Sequence, residues 1–261
     1  VGICCYTDYT TITNNHIHHI DNNESPYGGN GHKGITFEGD VSGTTASYCT
    51  ASGNMIHDCP GTGTVGYGIS LMSATGTKGN NILIENNIIY NVEKGINLDK
   101  YDYVSIRNNQ IRSTTGRGMD ISTTCLNVQV IGNHLVGVGD GDTDVGITVV
   151  ARTLVANNYL LTIAGNGIYT SDDNNIISGN YIEDVNNLKN GIFLGEGSDN
   201  NTVVGNRVHD CESSGIILSS NGADRNIIDG NMVTGCRTGI NIGNAACDKN
   251  IVTSNQLLNN T

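Results

Sequence analysis

The sequence predicts an all-β solenoid in which each repeat is one coil of short parallel strands. Composition gives the first indication, because Gly accounts for 35 of the 261 residues, Pro for 2 and charged residues for 15%. Gly and Asn, which is also frequent here, are poor helix formers, so the composition excludes a helical bundle. The low charge and the many Ile and Val residues exclude a disordered chain. Two sequence repeats that alternate along the chain predict the solenoid.

The first repeat is the string apolar-x-x-Asn-x-apolar, which recurs from one end of the chain to the other. Its copies are 39 and 33 residues apart at first and then 22–26 residues apart. The recurring residues are Asn15, Asn54, Asn87, Asn109, Asn133, Asn158, Asn180, Asn206, Asn231 and Asn255. Equivalent positions of a solenoid stack about 4.8 Å apart, so we expect these amides to form a ladder at one turn.

The second repeat is a Gly followed by an apolar residue, any residue and usually another apolar residue. Each copy alternates with period two, as a strand does, and is too short to bury a face alone. The glycines are Gly34, Gly68, Gly95, Gly118, Gly146, Gly167, Gly191, Gly215 and Gly239. Short strands at this spacing, with no helical stretch between them, favour a solenoid of about ten coils.

This coil, xNxI followed by GIxL, resembles the right-handed parallel β-helix repeat of pectate lyases, polygalacturonases, alginate lyases and epimerases, and phage tailspikes. The resemblance covers residues 10–260 and implies a right-handed, single-stranded parallel β-helix, one domain over residues 1–261. In such lyases and hydrolases the face of the Gly-Ile strand carries the sugar groove. The Asn-x-Asp, Asp-Asp and Gly-His-Gly motifs of polygalacturonases are not reproduced, although Asn97-Leu-Asp99 matches the first loosely, and the Asp-Pro-His motif of the epimerases is absent.

Insertions into the repeat indicate where function lies on a solenoid. The spacing from the ladder Asn to the next Gly lengthens in three coils, and two long gaps follow the Gly-Ile strand. The predicted loop insertions are residues 21–33, 38–53, 59–67, 72–81 and 138–145. Together they are expected to wall the Gly-Ile strand on both sides in the N-terminal half.

Polar and ionisable residues crowd the outward positions of this strand in the third to fifth coils. Asp99 and Asp120 lie one coil apart and two residues offset, which places their Cα atoms about 8 Å apart. That separation suits the acid and base of an inverting glycosidase, which need room for a water. Lys100 and Arg117 are predicted to orient the glycan or, in a lyase, to neutralise a uronate carboxylate and to take the C5 proton. Two aspartates on a solvated sheet face remain the non-functional alternative.

Residues around this pair are predicted to bind the sugar. Flat aromatic rings pack against the apolar faces of sugars, and amides and hydroxyls bond to their polar edges. The predicted substrate-binding residues are Asn97, Thr148, Arg152, Tyr169 and Phe193.

Metal binding is predicted at one loop. Asp140, Asp142 and Asp144 alternate like the first half of an oxygen-rich calcium loop, so Ca²⁺ is a possible cofactor, although the closing Glu is missing. An acidic surface loop is the alternative. His18 and His57 occupy equivalent positions of adjacent coils and either face solvent or bind a transition metal.

The charge of the chain narrows the class of partner. A formal net charge of −12 argues against nucleic acid and against an anionic membrane surface. The sequence contains no run of 18 apolar residues, so it does not predict a membrane-spanning helix. We therefore expect an extracellular or surface β-helix that handles polysaccharide as a hydrolase, lyase or epimerase. The alternative is a non-catalytic structural or adhesive fibre, sheath or tailspike subunit that self-associates end to end.

Overall fold

The computed structural model describes residues 1–20, 32–39, 45–59, 66–73, 77–219, 222–243 and 247–261. These ranges contain thirty strands, numbered along the chain, and no helix, so none that could span a membrane. The strands form three parallel sheets of ten strands each, and the chain visits sheets A, B and C in turn. The predicted all-β parallel β-helix is confirmed.

Each sheet is assembled from every third strand. Sheet A contains β1 (Ile3–Cys5), β4 (His32–Gly39), β7 (Gly66–Ser73), β10 (Lys94–Asp99), β13 (Met119–Ile121), β16 (Ile147–Val149), β19 (Ile168–Thr170), β22 (Ile192–Leu194), β25 (Ser214–Leu218) and β28 (Thr238–Ile242). Sheet B contains β2 (Thr11–Thr13), β5 (Thr50–Ser52), β8 (Gly79–Glu85), β11 (Tyr101–Arg107), β14 (Gln129–Ile131), β17 (Leu154–Ala156), β20 (Ile176–Ser178), β23 (Thr202–Val204), β26 (Ile227–Asp229) and β29 (Ile251–Thr253). Sheet C contains β3 (His16–His18), β6 (Met55–Cys59), β9 (Ile88–Val92), β12 (Gln110–Thr114), β15 (His134–Val138), β18 (Tyr159–Ile163), β21 (Tyr181–Val185), β24 (Arg207–Cys211), β27 (Met232–Thr234) and β30 (Gln256–Leu258).

The core is a set of stacked apolar side chains inside the coil. On sheet A, for example, Ile69, Ile96 and Met119 pair in register across three strands, and all three are fully buried. On each strand, the residues next to these core positions point to the outer face, as a strand period of two requires. Alternation in the sequence thus separates a continuous core from the outer faces that are available for function.

The motif glycines of sheet A are required by close packing. A Cβ built on Gly118 would lie 2.6 Å from the carbonyl oxygen of Gly146 in the next coil and 2.6 Å from Leu135 Cδ2 of sheet C. Backbone cannot yield as a flexible side chain can. A glycine therefore occupies this position because only hydrogen fits between adjacent coils.

We expect Gly118→Ala to lower the free energy of unfolding by about 1–3 kcal/mol, the usual cost of overpacking. Urea unfolding followed by circular dichroism measures this value. Gly141→Ala is the matched control, because its Cβ would meet only Asp144 Oδ2, at 3.3 Å. Equal stability of the two variants would contradict the packing explanation.

The repeated asparagines line the turn between sheets B and C and are buried through most of the column. The Asn133 side chain accepts hydrogen bonds from the amide N and from Nδ2 of Asn109, at 2.9 and 3.0 Å. Its own Nδ2 donates to Asn158 Oδ1 at 3.0 Å and to the Ile106 carbonyl at 3.0 Å. Each side chain therefore links three successive coils.

The dipeptides Asn-Asn and Gly-Asn also have a conformational cause. The residue before the ladder Asn has a positive φ, for example 52° at Asn108 and 66° at Gly132. Asn and Gly tolerate this left-handed conformation best. The sequence thus encodes both the bend and its hydrogen bonds.

A second ladder, which the sequence analysis missed, runs along the turn between sheets A and B in the C-terminal half. Its asparagines are Asn175, Asn201, Asn226 and Asn250, and each accepts a hydrogen bond from the backbone of the preceding coil. Beside it stand Asp173, Asp199, Asp224 and Asp248, joined by bonds from each backbone N–H to the carboxylate of the preceding coil. The triplet Asp-x-Asn, which recurs once per coil in this part of the sequence, could have predicted this second ladder.

The predicted insertions are only partly visible. Residues 21–31, 40–44, 60–65 and 74–76 lie outside the described residues; they are most of the segments 21–33 and 59–67 and a smaller part of 38–53 and 72–81. The segment 138–145 is described throughout and forms the turn from sheet C back to sheet A. The ends of the other four segments belong to strands, such as β8, which begins at Gly79.

Candidate functional site

The outer face of sheet A carries three rows of side chains along the solenoid axis. The first row, at the position before each motif glycine, contains Lys33, Tyr67 and Lys94, which pair in register, followed by Arg117. The middle row contains Thr36, Ser70, Asn97, Asp120, Thr148, Tyr169 and Phe193. The third row contains Glu38, Met72 and Asp99. Most of the predicted site residues lie on this single face.

Asp120 is the centre of an ion triad. Its Oδ2 lies 2.6 Å from Lys94 Nζ and its Oδ1 lies 2.5 Å from Arg117 Nη1. The carboxylate is 15% exposed, so it is accessible from the groove but shielded from bulk water. Burial disfavours ionisation, yet the hydrogen bonds and charges of Lys94 and Arg117 outweigh it and lower the pKa of Asp120. Asp120 is therefore a carboxylate at neutral pH.

Two hydroxyl groups of the middle row lack partners. Ser70 Oγ and Thr148 Oγ1 are buried, and neither has a hydrogen-bond partner in the described part of the chain. Ser70 lies two strands before Asp120, and Thr148 lies one strand after it. An unpaired buried polar atom costs about 1–3 kcal/mol, so such atoms need an explanation. A polar ligand on this face would bond to them only if neighbouring side chains moved aside, because both atoms are closed to solvent.

Lys94 and Tyr67 belong to this site, and the sequence analysis missed them. Lys94 Nζ lies 6.0 Å from the centroid of the Tyr67 ring, within cation–π range. Burial, and then the charges of Glu93 and Asp120, raise the pKa of Tyr67. Both residues immediately precede a motif glycine, as Arg117 does, and this shared position could have predicted that they lie on the same face as Arg117.

Asp99 and Lys100 lie at the end of the same strand and contact other groups. Asp99 Oδ1 accepts a hydrogen bond from Thr124 Oγ1 at 2.9 Å. Lys100 has a φ of 62° in the following turn, and its Nζ donates to the Ser73 carbonyl at 3.1 Å. The structure thus places Asn97 and Thr148 on the strands next to Asp120, which contacts Arg117. Asp99 and Lys100 lie at the C-terminal end of β10 and contact other groups.

The predicted sugar-binding aromatics continue the middle row toward the C-terminus. Tyr169 and Phe193 are half-buried neighbours whose ring centroids lie 5.4 Å apart, with an interplanar angle of 68°. Both side chains are partly exposed on the outer face of the sheet. Arg152 is exposed in the turn after β16, with a φ of 59°, and is separate from the rows.

A second buried ion pair lies at the N-terminal end of the same face. Lys33, whose side chain is 4% exposed, contacts Glu38 Oε1. Thr36 Oγ1 donates to the same oxygen at 3.1 Å, and Tyr6 Oη donates to Glu38 Oε2 at 3.3 Å. Polar, charged groups therefore extend along sheet A from β4 to β13.

In the predicted calcium loop, Asp144 bonds to backbone amides of the loop itself and Asp142 lies near a lysine. Asp144 Oδ2 accepts hydrogen bonds from the amides of Asp140 and Gly141, at 3.3 and 3.0 Å. Asp142 is 68% exposed and lies 3.6 Å from Lys189 Nζ. Among the described residues, no three His, Cys, Asp or Glu side chains are arranged around one point as metal ligands. Calcium binding here stays a prediction, which titration calorimetry of the wild type and of Asp142→Ala checks.

We expect Lys94→Met to raise the pKa of Asp120, because one of its two cations is lost. A carboxylate with a lowered pKa stabilises the fold above its unfolded-state pKa of about 3.9 and loses that contribution as the pH falls through the folded-state pKa. The stability difference between wild type and variant should therefore be largest at neutral pH and shrink in acid. Carboxyl NMR titration and urea unfolding measure both effects. Lys189→Met should leave Asp120 unchanged, and an unaltered pKa in Lys94→Met would refute the triad's role.

The chain is similar in fold to known right-handed β-helix proteins. A family model described as "Right handed beta helix region" matches residues 1–161 and 142–261. No curated protein matches the chain. The periplasmic alginate epimerase AlgG superposes with a TM-score of 0.66 at 14% identity, covering 87% of this chain and 55% of that one.

Two further solved structures are similar. GH136 lacto-N-biosidase from Eubacterium ramulus gives a TM-score of 0.60 at 13% identity, covering 87% of this chain and 51% of that one. A tailspike protein mutant of E. coli bacteriophage HK620, in complex with a pentasaccharide, gives 0.59 at 14% identity, with coverage of 98% and 53%. The chain spans about half the length of these structures, and identities this low establish a shared fold alone.

Proposed function

This chain belongs to the right handed beta helix family, and we propose that it is a carbohydrate-active protein that binds a polysaccharide along sheet A and cleaves or modifies it. One observation carries the proposal: the Lys94–Asp120–Arg117 triad stands in line with two buried hydroxyls that lack partners among the described residues. A sugar offers the many hydroxyls that such a row would bond. The similar structures include an alginate epimerase, a lacto-N-biosidase and a tailspike with bound pentasaccharide.

The geometry favours one assignment of roles within this proposal. Asp120 stays ionised, so it would accept a proton and act as the base, and Asp99 would be the acid. Arg117 and Lys94 would hold the ring substituents or a uronate carboxylate, and Asn97 and Thr148 would bond to hydroxyls. Tyr169 and Phe193 would pack against the next sugar. Lys100 and Arg152 would contact the glycan only at the groove edge.

The location follows from the same proposal. A polysaccharide substrate places the protein outside the cytoplasm, at the cell surface or beyond it. An alginate epimerase described as periplasmic and a phage tailspike are both similar in fold. Fractionation of the source cells tests the location directly.

A screen over neutral and uronic polysaccharides, with and without Ca²⁺, tests the activity. New reducing ends without ultraviolet absorbance indicate hydrolysis, and absorbance of unsaturated products indicates elimination. NMR of the polymer detects epimerisation, which changes neither signal. Binding without any turnover would reduce the proposal to a lectin-like role, and neither binding nor turnover would refute it.

The second candidate function is a structural or adhesive subunit that associates end to end. Apolar side chains of the last strands are exposed, among them Ile242 at 46%, Ile251 at 54% and Leu257 at 48%. Exposed apolar side chains of this kind can pack against another chain. Light scattering over a concentration series tests the idea, since a monodisperse monomer would exclude it.

A further inference from the structure

Four histidines form a cluster on the outer face of sheet C, a different sheet from the one that carries the Lys94–Asp120–Arg117 triad. His16 and His18 come from β3, His19 follows them, and His57 comes from β6. His18 and His57 pair in register, with ring centroids 5.3 Å apart. His16 lies 4.9 Å from His18 and 5.0 Å from His57, again between ring centroids. The first three are exposed and His57 is partly buried.

The hydrogen bonds of His57 orient its ring. Its Nδ1 lies 2.8 Å from Asp58 Oδ2, and a carboxylate only accepts, so Nδ1 carries the proton. In this tautomer the lone pair is on Nε2, which accepts a hydrogen bond from His16 Nε2 at 2.8 Å. Donation from Nδ1 to a carboxylate orients the ring as in a metal-binding histidine, and a metal ion would replace the proton between the two Nε2 atoms.

We propose that this cluster binds one divalent transition-metal ion of the Zn²⁺, Cu²⁺ and Ni²⁺ class, the ions that imidazole suits. His16 and His57 supply two Nε2 ligands. Bonds of 2.0–2.1 Å at a tetrahedral angle separate two nitrogens by about 3.3 Å, so the pair would open by about half an ångström. No three ligand-type side chains already converge in the described ranges, so His18 supplies the third nitrogen by turning its exposed ring.

Stacking alone does not account for this arrangement. His57 also stacks on Tyr90, with centroids 4.5 Å apart and planes within 7°. A tyrosine or phenylalanine would serve that contact equally well and would need no carboxylate at its edge. The metal would join β3 to β6 and so hold the first two coils together.

Titration calorimetry with ZnCl₂, and visible absorption with CoCl₂, test the proposal on the intact chain. We expect one ion per chain at micromolar or tighter affinity, and a higher melting temperature with Zn²⁺. His57→Ala and His16→Ala should each weaken binding at least about 100-fold, and Asp58→Asn about 10–100-fold, the effect typical of a residue that orients a ligand.

His134→Ala and His209→Ala are the matched controls, because both side chains lie elsewhere on sheet C. These variants should bind Zn²⁺ like the wild type, and circular dichroism confirms the fold of every variant. Absence of binding to the wild type, or equal binding by His57→Ala, would overturn the proposal. Equal losses in the control variants would do the same, because they would indicate non-specific binding.

Discussion

Replacing Asn133 by alanine is expected to lower the free energy of unfolding by at least about 3 kcal/mol, because several buried groups lose partners together. The amide N and Nδ2 of Asn109 both donate to Asn133 Oδ1. Asn158 Oδ1 and the Ile106 carbonyl lose a donor in the same variant. Asn109 Nδ2 and Asn158 Oδ1 each keep one other hydrogen bond, so the largest share comes from the Asn109 amide N, since a buried group left unpaired costs about 1–3 kcal/mol. Urea unfolding followed by circular dichroism measures the loss.

The matched control is Asn255→Ala, in the last coil. Asn255 is only partly buried, so water replaces the bonds that its side chain makes with the preceding coil. We expect its effect to be a small fraction of that at position 133. Similar losses at the two positions would show that the ladder contributes through something other than buried hydrogen bonds.

Asp120→Asn is expected to lower the rate of the reaction found in the polysaccharide screen by about 10²–10⁴-fold, the usual contribution of general acid–base catalysis. The amide keeps the shape of the side chain and cannot accept the proton. It also leaves Lys94 and Arg117 without their shared anion, so urea unfolding must accompany the kinetics. The loss should appear in kcat more than in KM, since binding contacts to the other rows remain.

Glu183→Gln is the control for this variant. Glu183 lies on the outer face of sheet C, where its carboxylate accepts a hydrogen bond from Tyr181 Oη at 2.7 Å. Its side chain is 30% exposed, against 15% for Asp120, and it lies on a different sheet, so its removal should leave the rate unchanged. A full rate in Asp120→Asn, with the fold intact, would move the chemistry to other residues.

The fold could be predicted because its determinants are local and repeated. The ladder Asn satisfies a turn, and Gly118 and its equivalents avoid a collision between coils, so each position is fixed by its neighbours in the stack. The second ladder was missed because its Asp-x-Asn triplet begins only at Asp173 and is preceded by Arg152-Thr153 in the coil before. A partial column gives a weaker periodic signal than a complete one.

The candidate site was predictable only in part, because side-chain direction at a strand end does not follow from spacing. Asp120 and Arg117 lie together as their positions suggested. Lys100 adopts a positive φ after β10, which turns its ammonium toward the Ser73 carbonyl. Lys94 was overlooked because it immediately precedes the strand motif, although its reach brings it to Asp120.

Hydroxyl-radical footprinting, with and without the polysaccharide identified by the screen, tests most directly whether the glycan lies on sheet A. Aromatic side chains that are at least partly exposed report on both faces: Tyr67, Tyr169 and Phe193 on sheet A, and Tyr90, Tyr159 and Tyr181 on sheet C. We predict that the polysaccharide protects the first three from labelling and leaves the second three unchanged. Protection of the sheet C tyrosines, with the sheet A aromatics labelled as before, would contradict the assignment.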